Sequence, residues 1–195
     1  MTIKTLHEML VDELRDLYHA EKQLTKALPE LAKAATHEGL RDAFESHLEQ
    51  TRGHVSRLEE VLGSLDEPAK GKPCAGMAGI VEEGSELLQE DAAPAVLDAA
   101  LIAAAQRAEH YEIGAYGTCV AWARLLGHSG AVELLEQTLE EEKAADHKLT
   151  SLAESEINQA AAFEARSRSS NRRDRRQASG TTRSRAKAAD RRRGR

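Results

Sequence analysis

An acidic residue occupies a helix position where an apolar residue is expected, and it is the clearest candidate for chemistry. Glu21 lies seven residues after Leu14 and seven before Leu28, within a stripe of leucines at helical spacing. Burying an ionised carboxylate is costly unless it is paired or bound to a metal ion. Glu21 is therefore a candidate metal ligand, unless its stripe drifts to a partly solvated edge of the helix.

Two further predicted helices repeat this placement of a carboxylate. Glu142 has an apolar residue seven positions away on either side, and Asp146 follows it by one turn. Glu112 lies on a stripe of small residues, and Glu109 precedes it by about one turn. Positions three or four apart share a helix face, so each pair points to nearly the same side. Three helices thus place carboxylates in the interior near mid-length.

Two histidines on another predicted helix could complete an oxygen-rich metal site. His47 and His54 lie two turns apart and flank an apolar stripe, with Gln50 and Thr51 between them as possible hydrogen-bond donors to the ligands. A lone helical histidine is more often an ordinary polar residue. Together with the carboxylates, however, one or two imidazoles suit iron or manganese better than zinc. The sequence predicts two divalent ions, iron or manganese.

Two tyrosines lie close to these carboxylates in sequence. Tyr18 precedes Glu21 by three residues, and Tyr116 follows Glu112 by four. Either could donate a hydrogen bond to a ligand or act as a redox residue, although packing on an amphipathic helix is the ordinary role. The sequence contains no nucleotide-binding loop or nucleophile motif, so metal chemistry is the only enzymatic option that it supports.

The composition indicates which elements must position these residues. Of the 195 residues 41% are hydrophobic but only 3% are aromatic, which favours closely packed helices over strands. The first predicted helix is kinked at Pro29 and stopped by Gly39, and the second runs from about Leu40 to Leu62.

The second half of the chain predicts two more long helices after a connection. Residues 63–79 are rich in proline and glycine and precede a short helix at 81–89, so this crossover should leave the second and third long helices parallel. The third helix is capped by Asp91 and ends at Gly127, and the fourth runs from Ser129 to about residue 163. The expected fold is all-α, a ferritin-like four-helix bundle with one long crossover connection.

The C-terminal residues differ from the rest of the chain. Residues 1–163 are predicted to form the bundle, and residues 164–195 a basic tail. Residues 166–195 contain 13 Lys and Arg against two Asp, a net +11 that leaves −17 for residues 1–165. This segment is expected to be disordered and to bind nucleic acid or another polyanion. A solubilising extension, or a tail that folds back on its acidic body, is the alternative. The strongest candidate contacts are Arg172, Arg173, Arg175, Arg176, Arg191, Arg192 and Arg193.

The chain carries no signal for a membrane or for secretion. No run of 18 apolar residues is present, and the N-terminus MTIKTLHEML lacks the features of a signal peptide. Cys74 and Cys119 form neither a CxxC pair nor a disulfide framework. We therefore expect a cytoplasmic protein with reduced thiols and no membrane partner.

Four segments carry a resemblance to a known family, in the same order and at the expected separations. The segments DLYHAEKQL, HLEQTRGHVSRLEEV, ALIAAAQRAEHYEIGAYGT and TLEEEKAADHKL resemble the YciE/YciF family of ferritin-like bacterial stress proteins. The similarity covers roughly residues 3–160 and excludes the basic tail. It implies a four-helix ferritin-like domain, usually dimeric, that is related to rubrerythrin and manganese catalase.

The resemblance also implies a ligand set. The ferritin-like pattern, carried over to this sequence, gives Glu21 as the ligand on the first long helix and His54 on the second. It gives Glu109 or Glu112 on the third and Glu142 on the fourth. Thr51 and Ala145 stand where that pattern has a glutamate and a histidine. This departure leaves a weakened or vestigial site as the alternative.

Two functions from different classes follow from these residues. The first is a di-metal carboxylate stress protein that consumes peroxide or sequesters ferrous iron, with a basic tail that binds nucleic acid. The second is a non-enzymatic, dimeric helical-bundle interaction protein or DNA-associated stress protein with a vestigial metal site. Metal-dependent thermal stability separates them, because an ion that binds only the folded state must stabilise it.

Overall fold

The structure is a computed structural model that describes residues 3–164, so the tail arginines singled out above lie outside the described residues. Helices joined by short connections make up residues 3–164, with no strand among them, which confirms the predicted all-α class. Its helices are α1 (Leu6–Ala34), α2 (Glu38–Ser64), α3 (Ala75–Leu87), α4 (Pro94–Leu126) and α5 (Ser129–Leu152). A π-helical turn, Ala153–Ile157, continues α5, and helical backbone follows it to residue 164.

The boundary between α1 and α2 lies earlier than predicted. α1 continues through Pro29 and ends at Ala34, whereas Gly39 falls in the first turn of α2. The turn is stabilised by Asp98 of α4, whose carboxylate accepts hydrogen bonds from the backbone N–H groups of Thr36 (2.8 Å) and His37 (3.0 Å). A distant side chain thus ends α1, and no local glycine signal is needed.

The connection after α2 contains a longer helix than predicted. α3 begins at Ala75 instead of residue 81, because the Cys74 sulfur accepts a hydrogen bond from the backbone N–H of Met77 at 3.3 Å and caps the helix. α4 begins after Ala93 and not after Asp91, with Pro94 in its first turn as expected. Gly127 ends α4 in the left-handed region, at φ 79°, which glycine adopts without strain.

The four long helices pack side by side. α1 packs against α2 and α4, α5 packs against α4 and α2, and α3 lies on the outer side of α1 and α4. The apolar core forms two clusters, each of which joins one end of α1 to the opposite ends of α2 and α4. α2 and α4 therefore run parallel, as the crossover predicts. Among residues 3–164, no helix is long and apolar enough to cross a membrane.

A layer of buried polar residues separates the two apolar clusters. On α1, Glu21 lies between Leu17 of one cluster and Leu24 of the other; on α5, Glu142 lies between Leu135 and Leu149. The heptad spacing turns both residues toward the core, and the packing of the helices brings them to the same height. The fold thus brings carboxylates from three helices to one level in the middle of the protein.

Candidate metal centre

The polar layer contains side chains from all four long helices, and each is nearly or completely buried. It comprises Glu21 from α1, His47 and His54 from α2, Glu109 and Glu112 from α4, and Glu142 from α5. Apolar residues above and below bury this layer, so its electrostatic interactions act in a medium of low dielectric constant.

One group of side chains converges around His54. Its Nδ1 atom lies 2.9 Å from Oε1 of Glu142 and 3.4 Å from Oε1 of Glu21, and the side chains of all three residues are fully buried. One potential ligand atom from each residue lies within 4.8 Å of the others. Two carboxylates and an imidazole at this spacing could hold one metal ion.

A second group converges around His47 and shares Glu142 with the first. The Nε2 atom of His47 lies 3.3 Å from Oε1 of Glu109 and 3.6 Å from Oε2 of Glu142. These ligand atoms also lie within 4.8 Å of one another. Glu142 thus presents one oxygen to each group, which is the arrangement of a carboxylate that bridges two ions.

The carboxylates of the layer lack the partners that buried charges need. Both oxygens of Glu112 have no hydrogen-bond partner, and neither does Oε2 of Glu142, Glu21 or Glu109. Oε1 of Glu142 has only Nδ1 of His54 nearby, at 2.9 Å. Within residues 3–164, no Lys or Arg forms an ion pair with any of them. A buried, unpaired carboxylate is costly, and divalent cations would neutralise this set. Four carboxylates with two imidazoles form a donor set that fits iron or manganese.

Burial controls protonation in the layer. It raises the pKa of Glu112 well above its usual value, and the nearby carboxylates of Glu142 and Glu21 raise it further. Burial also raises the pKa of Glu109 and of Glu142. For His54, burial lowers the pKa, but Glu142 and Glu21 outweigh this effect and raise it to about 10. Metal ions must therefore displace protons from these residues.

Partners outside the layer orient both imidazoles. The Nε2 atom of His54 lies 2.9 Å from Oε2 of Glu141, and the guanidinium of Arg57 donates two hydrogen bonds to the same carboxylate, at 2.9 and 2.8 Å. The Nδ1 atom of His47 faces Oε1 of Gln50 at 3.4 Å. A proton on these outward nitrogens leaves Nδ1 of His54 and Nε2 of His47 free to bind metal.

The sequence analysis missed Glu141. It directly precedes Glu142 in an acidic run, EEEK, where neighbouring carboxylates cannot be told apart by type alone. A usable signal was Arg57, which follows His54 by three residues and therefore lies on the same side of α2. A basic residue beside a candidate ligand indicates a carboxylate on the facing helix.

The two candidate tyrosines have different hydrogen-bond partners, and only one of them contacts a proposed ligand. Tyr116 is fully buried, and its hydroxyl donates a hydrogen bond to Oε1 of Glu21 at 2.5 Å. The suggestion that Tyr18 contacts a ligand is wrong, because its hydroxyl donates to Glu59 on α2 at 2.7 Å. Thr51 is buried, but its hydroxyl donates to the backbone carbonyl of His47, at 2.9 Å, and not to a carboxylate of the layer.

Asp146 lies outside both ligand groups, so its prediction as a ligand is corrected. Its side chain is partly exposed, accepts a hydrogen bond from Gln106 at 2.9 Å and lies 3.3 Å from Nε2 of His110. A step of four residues rotates a helix position about 40° past a full turn and moves it one turn along the axis. This rotation and rise turn the Asp146 side chain toward the edge of α4 and away from the layer.

A second polar cluster, which the sequence did not predict, attaches α3 to the bundle. Tyr111 donates a hydrogen bond to Asp16 of α1 at 2.6 Å, and its hydroxyl lies 3.1 Å from the sulfur of Cys74. A Cβ atom at Gly76 would lie 2.8 Å from the Tyr111 ring, so only glycine fits beside it. This cluster holds α3 against α1 and α4, outside the metal layer.

Comparison with known proteins places the chain in a family. Residues 5–162 match the family described as Domain of unknown function (DUF892). The chain belongs to this family. This DUF892 member is 46% identical over 162 residues to Protein YciF of Escherichia coli (strain K12), an alignment that covers 83% of this chain and 98% of YciF. The resemblance to the YciE/YciF family is confirmed.

Solved structures of similar chains agree with this fold. The crystal structure of the E. coli stress protein YciF covers 80% of this chain and 99% of its own, with a TM-score of 0.77. YcfI of Rhodopseudomonas palustris, described as a candidate structural protein, is 44% identical to this chain, with a TM-score of 0.74. The match covers 76% of this chain and 94% of the YcfI chain. A protein of Xanthomonas campestris pv. campestris, 20% identical with a TM-score of 0.64, covers 84% of this chain and 99% of its own and shares the fold.

Proposed function

We propose that this protein is a ferritin-like four-helix bundle that holds two divalent ions, iron or manganese, and that it serves the stress response through peroxide consumption or iron sequestration. The observation that carries the proposal is the position of Glu142, whose two oxygens face two separate ligand groups. The unpaired oxygens around it support the same reading, since two divalent ions would balance four buried carboxylates.

Each residue of the layer has a role in this proposal. Glu21 and His54 would hold one ion and His47 and Glu109 the other, with Glu142 shared between them. Glu112 lies outside both ligand groups but would offer further oxygens from the same layer. Bound iron or manganese supplies electron transfer to peroxide or oxygen. The protein itself buries the ligands between its two apolar clusters and orients the two histidines through hydrogen bonds from outside the layer.

A second candidate function follows from two neutral residues. Thr51 and Ala145 stand where ferritin-like proteins have a glutamate and a histidine, and Thr51 bonds only to the backbone carbonyl of His47. The layer would then be vestigial, and the protein would act as a dimeric interaction module or a DNA-associated stress protein. The description of the relative YcfI as a candidate structural protein favours this alternative.

Metal analysis separates the two candidates. The full-length protein, purified without a tag from cells supplied with iron and manganese, should contain about two ions per chain. Glu142→Ala should lose both ions, because it removes the shared ligand, whereas Glu140→Ala should keep them, because Glu140 is exposed and pairs only with Lys143. A chelator should lower the melting temperature of the wild type but not of Glu142→Ala. Wild-type protein free of metal, with no response to chelator, would favour the vestigial alternative.

Three further expectations belong to this proposal. The family resemblance implies a homodimer, which analytical ultracentrifugation tests, and a cytoplasmic location stays a prediction. The charge of residues 164–195 supports binding to nucleic acid by release of counterions. Affinity for DNA should fall steeply as the salt concentration rises. It should also weaken when the tail arginines at positions 172, 173, 175, 176 and 191–193 are replaced by glutamine. An affinity that does not change with salt would contradict this role.

A further inference from the structure

An apolar cavity reaches the metal layer from the side of α1, α3 and α4. Its volume is about 350 Å³, and its walls are formed mainly by Leu24, Ala27, Leu28, Leu31, Ile80, Val81, Leu88, Ala104, Ala105 and Ala108. His47 and Glu109, two residues of one ligand group, lie at its buried end. Lys26 and Glu30 are exposed and lie on its solvent side. The cavity therefore joins the surface to one half of the metal centre.

The remaining polar side chains of the wall are already engaged. Gln23 donates a hydrogen bond to the carbonyl of Cys74 at 3.2 Å, and the hydroxyl of Ser85 donates to the carbonyl of Val81 at 2.8 Å. Glu109 differs, since its Oε2 atom is buried without a hydrogen-bond partner while Oε1 faces His47. A ligand in this cavity would meet hydrocarbon along its length and one free acceptor at its inner end.

A second cavity reaches the same two residues from the opposite side. It has a volume of about 220 Å³, lies between α2 and α5, and is lined by Gln50, Ala145 and Lys148 as well as His47 and Glu109. Its lining mixes apolar residues with polar and charged ones, so it admits water and hydrated ions more readily than the apolar cavity does. The apolar cavity is therefore not needed as a route for ions, and its chemistry suits a different ligand.

We propose that the apolar cavity binds one unbranched aliphatic chain that ends in an O–H group, a hydroxyl or a hydroperoxide, with that group donating a hydrogen bond to Glu109. At roughly 30 Å³ per water-sized group, the cavity accommodates about a dozen non-hydrogen atoms, within the usual range for ligand pockets. The inference deepens the proposed function and rests on it for any chemistry at the ions, because the head group lies beside two proposed ligands. Binding itself requires only the cavity and Glu109.

Calorimetric titration of the full chain with primary alcohols of increasing length tests this site, with metal-free and metal-loaded protein measured in parallel. Metal-free protein should bind 1-decanol saturably at one site per chain. Affinity should rise roughly fourfold per added methylene, the value of burying one such group, and should level off once the chain exceeds about a dozen non-hydrogen atoms. Decyl hydroperoxide, titrated into the metal-free protein, shows which of the two O–H head groups binds more tightly.

Two matched variants decide whether the alcohol occupies this cavity. Ala27→Phe fills part of the space and should weaken 1-decanol binding at least tenfold, whereas Ala103→Phe, on the solvent face of α4, should leave it within twofold. Val81→Phe fills the cavity from α3 and serves if Ala27→Phe does not fold. Equal binding by the filled and control variants, or no saturable binding by the wild type, would overturn the proposal.

Metal content measured in the same samples separates this inference from the proposed function. If the protein binds 1-decanol but never takes up metal, the proposed cavity is supported and the proposed metal centre is contradicted. If it takes up about two ions per protein chain but does not bind 1-decanol, the metal centre is supported and the cavity proposal is contradicted.

Discussion

Removing Glu141 should weaken one of the two proposed metal sites and spare the other. His54 is fully buried, and its Nε2 atom has Glu141 as its hydrogen-bond partner, at 2.9 Å. In Glu141→Ala that N–H would be buried without an acceptor, at a cost of about 1–3 kcal/mol. The imidazole would also be free to turn its protonated nitrogen toward the layer.

The expected size of the effect follows from this geometry. Loss of a partner that orients a metal-bound histidine costs 10–100-fold in affinity, or about 1.4–2.7 kcal/mol. The loss should fall on the ion at Glu21 and His54, because His47 has its own partner in Gln50. Glu141→Gln, which keeps an acceptor oxygen, should lose less.

Competition for Mn²⁺ with a chromophoric chelator measures both binding steps. Glu140→Ala is the matched control, since Glu140 is a mostly exposed neighbour that pairs with Lys143 and not with a histidine. The expected result is one weakened step in Glu141→Ala and none in the control. If Glu141→Ala bound both ions as the wild type does, or weakened both steps equally, the reasoning about His54 would be refuted.

Three more outcomes are expected from the same contacts. Tyr116→Phe removes the 2.5 Å hydrogen bond to Glu21 and should lower the free energy of unfolding of the metal-free protein by about 1.5–3 kcal/mol. Urea titration measures this change, and an unchanged stability would contradict the expectation. Asp98→Ala leaves the donors of Thr36 and His37 in the turn without an acceptor and should lower the free energy of unfolding by about 2–5 kcal/mol in the same assay. A loss below about 1 kcal/mol would show that water takes the place of the Asp98 carboxylate. Metal affinity should rise with pH up to about pH 10, the pKa of His54, because protons on this imidazole and on the buried glutamates, whose pKa is raised, compete with metal. Calorimetry in two buffers counts the protons released, and an affinity that falls as pH rises would contradict this expectation.

Much of the candidate centre could be predicted because helices have a fixed period. Glu21 and Glu142 each interrupt an apolar heptad, and such a residue must face the core if the helix is amphipathic. Glu112 interrupts a stripe of small residues in the same way, whereas Glu109 was chosen because it lies one turn before Glu112, and His54 because it flanks an apolar stripe and fits the family resemblance. The structure brings all five residues into one layer. Residue type and spacing suffice when a side chain points directly at the axis of the bundle.

Side chains near the edge of a helix face could not be assigned in this way. Asp146 and Tyr18 each lie one turn from a ligand, yet one faces Gln106 and the other faces Glu59. His47 was ranked below His54, although the structure gives each histidine its own group. A few tens of degrees of helix rotation decide such cases, and that rotation depends on how neighbouring helices pack.

The sequence by itself determined the all-α class, the four long helices, the parallel course of α2 and α4, and the carboxylates at mid-length, because all of these follow from local periodicity and from the length of one connection. Only the tertiary structure decided that Glu142 serves two groups, that Glu141 orients His54, and that Asp98 ends α1. Each of these is a contact between helices, where partners distant in sequence meet at a distance that helix packing alone sets.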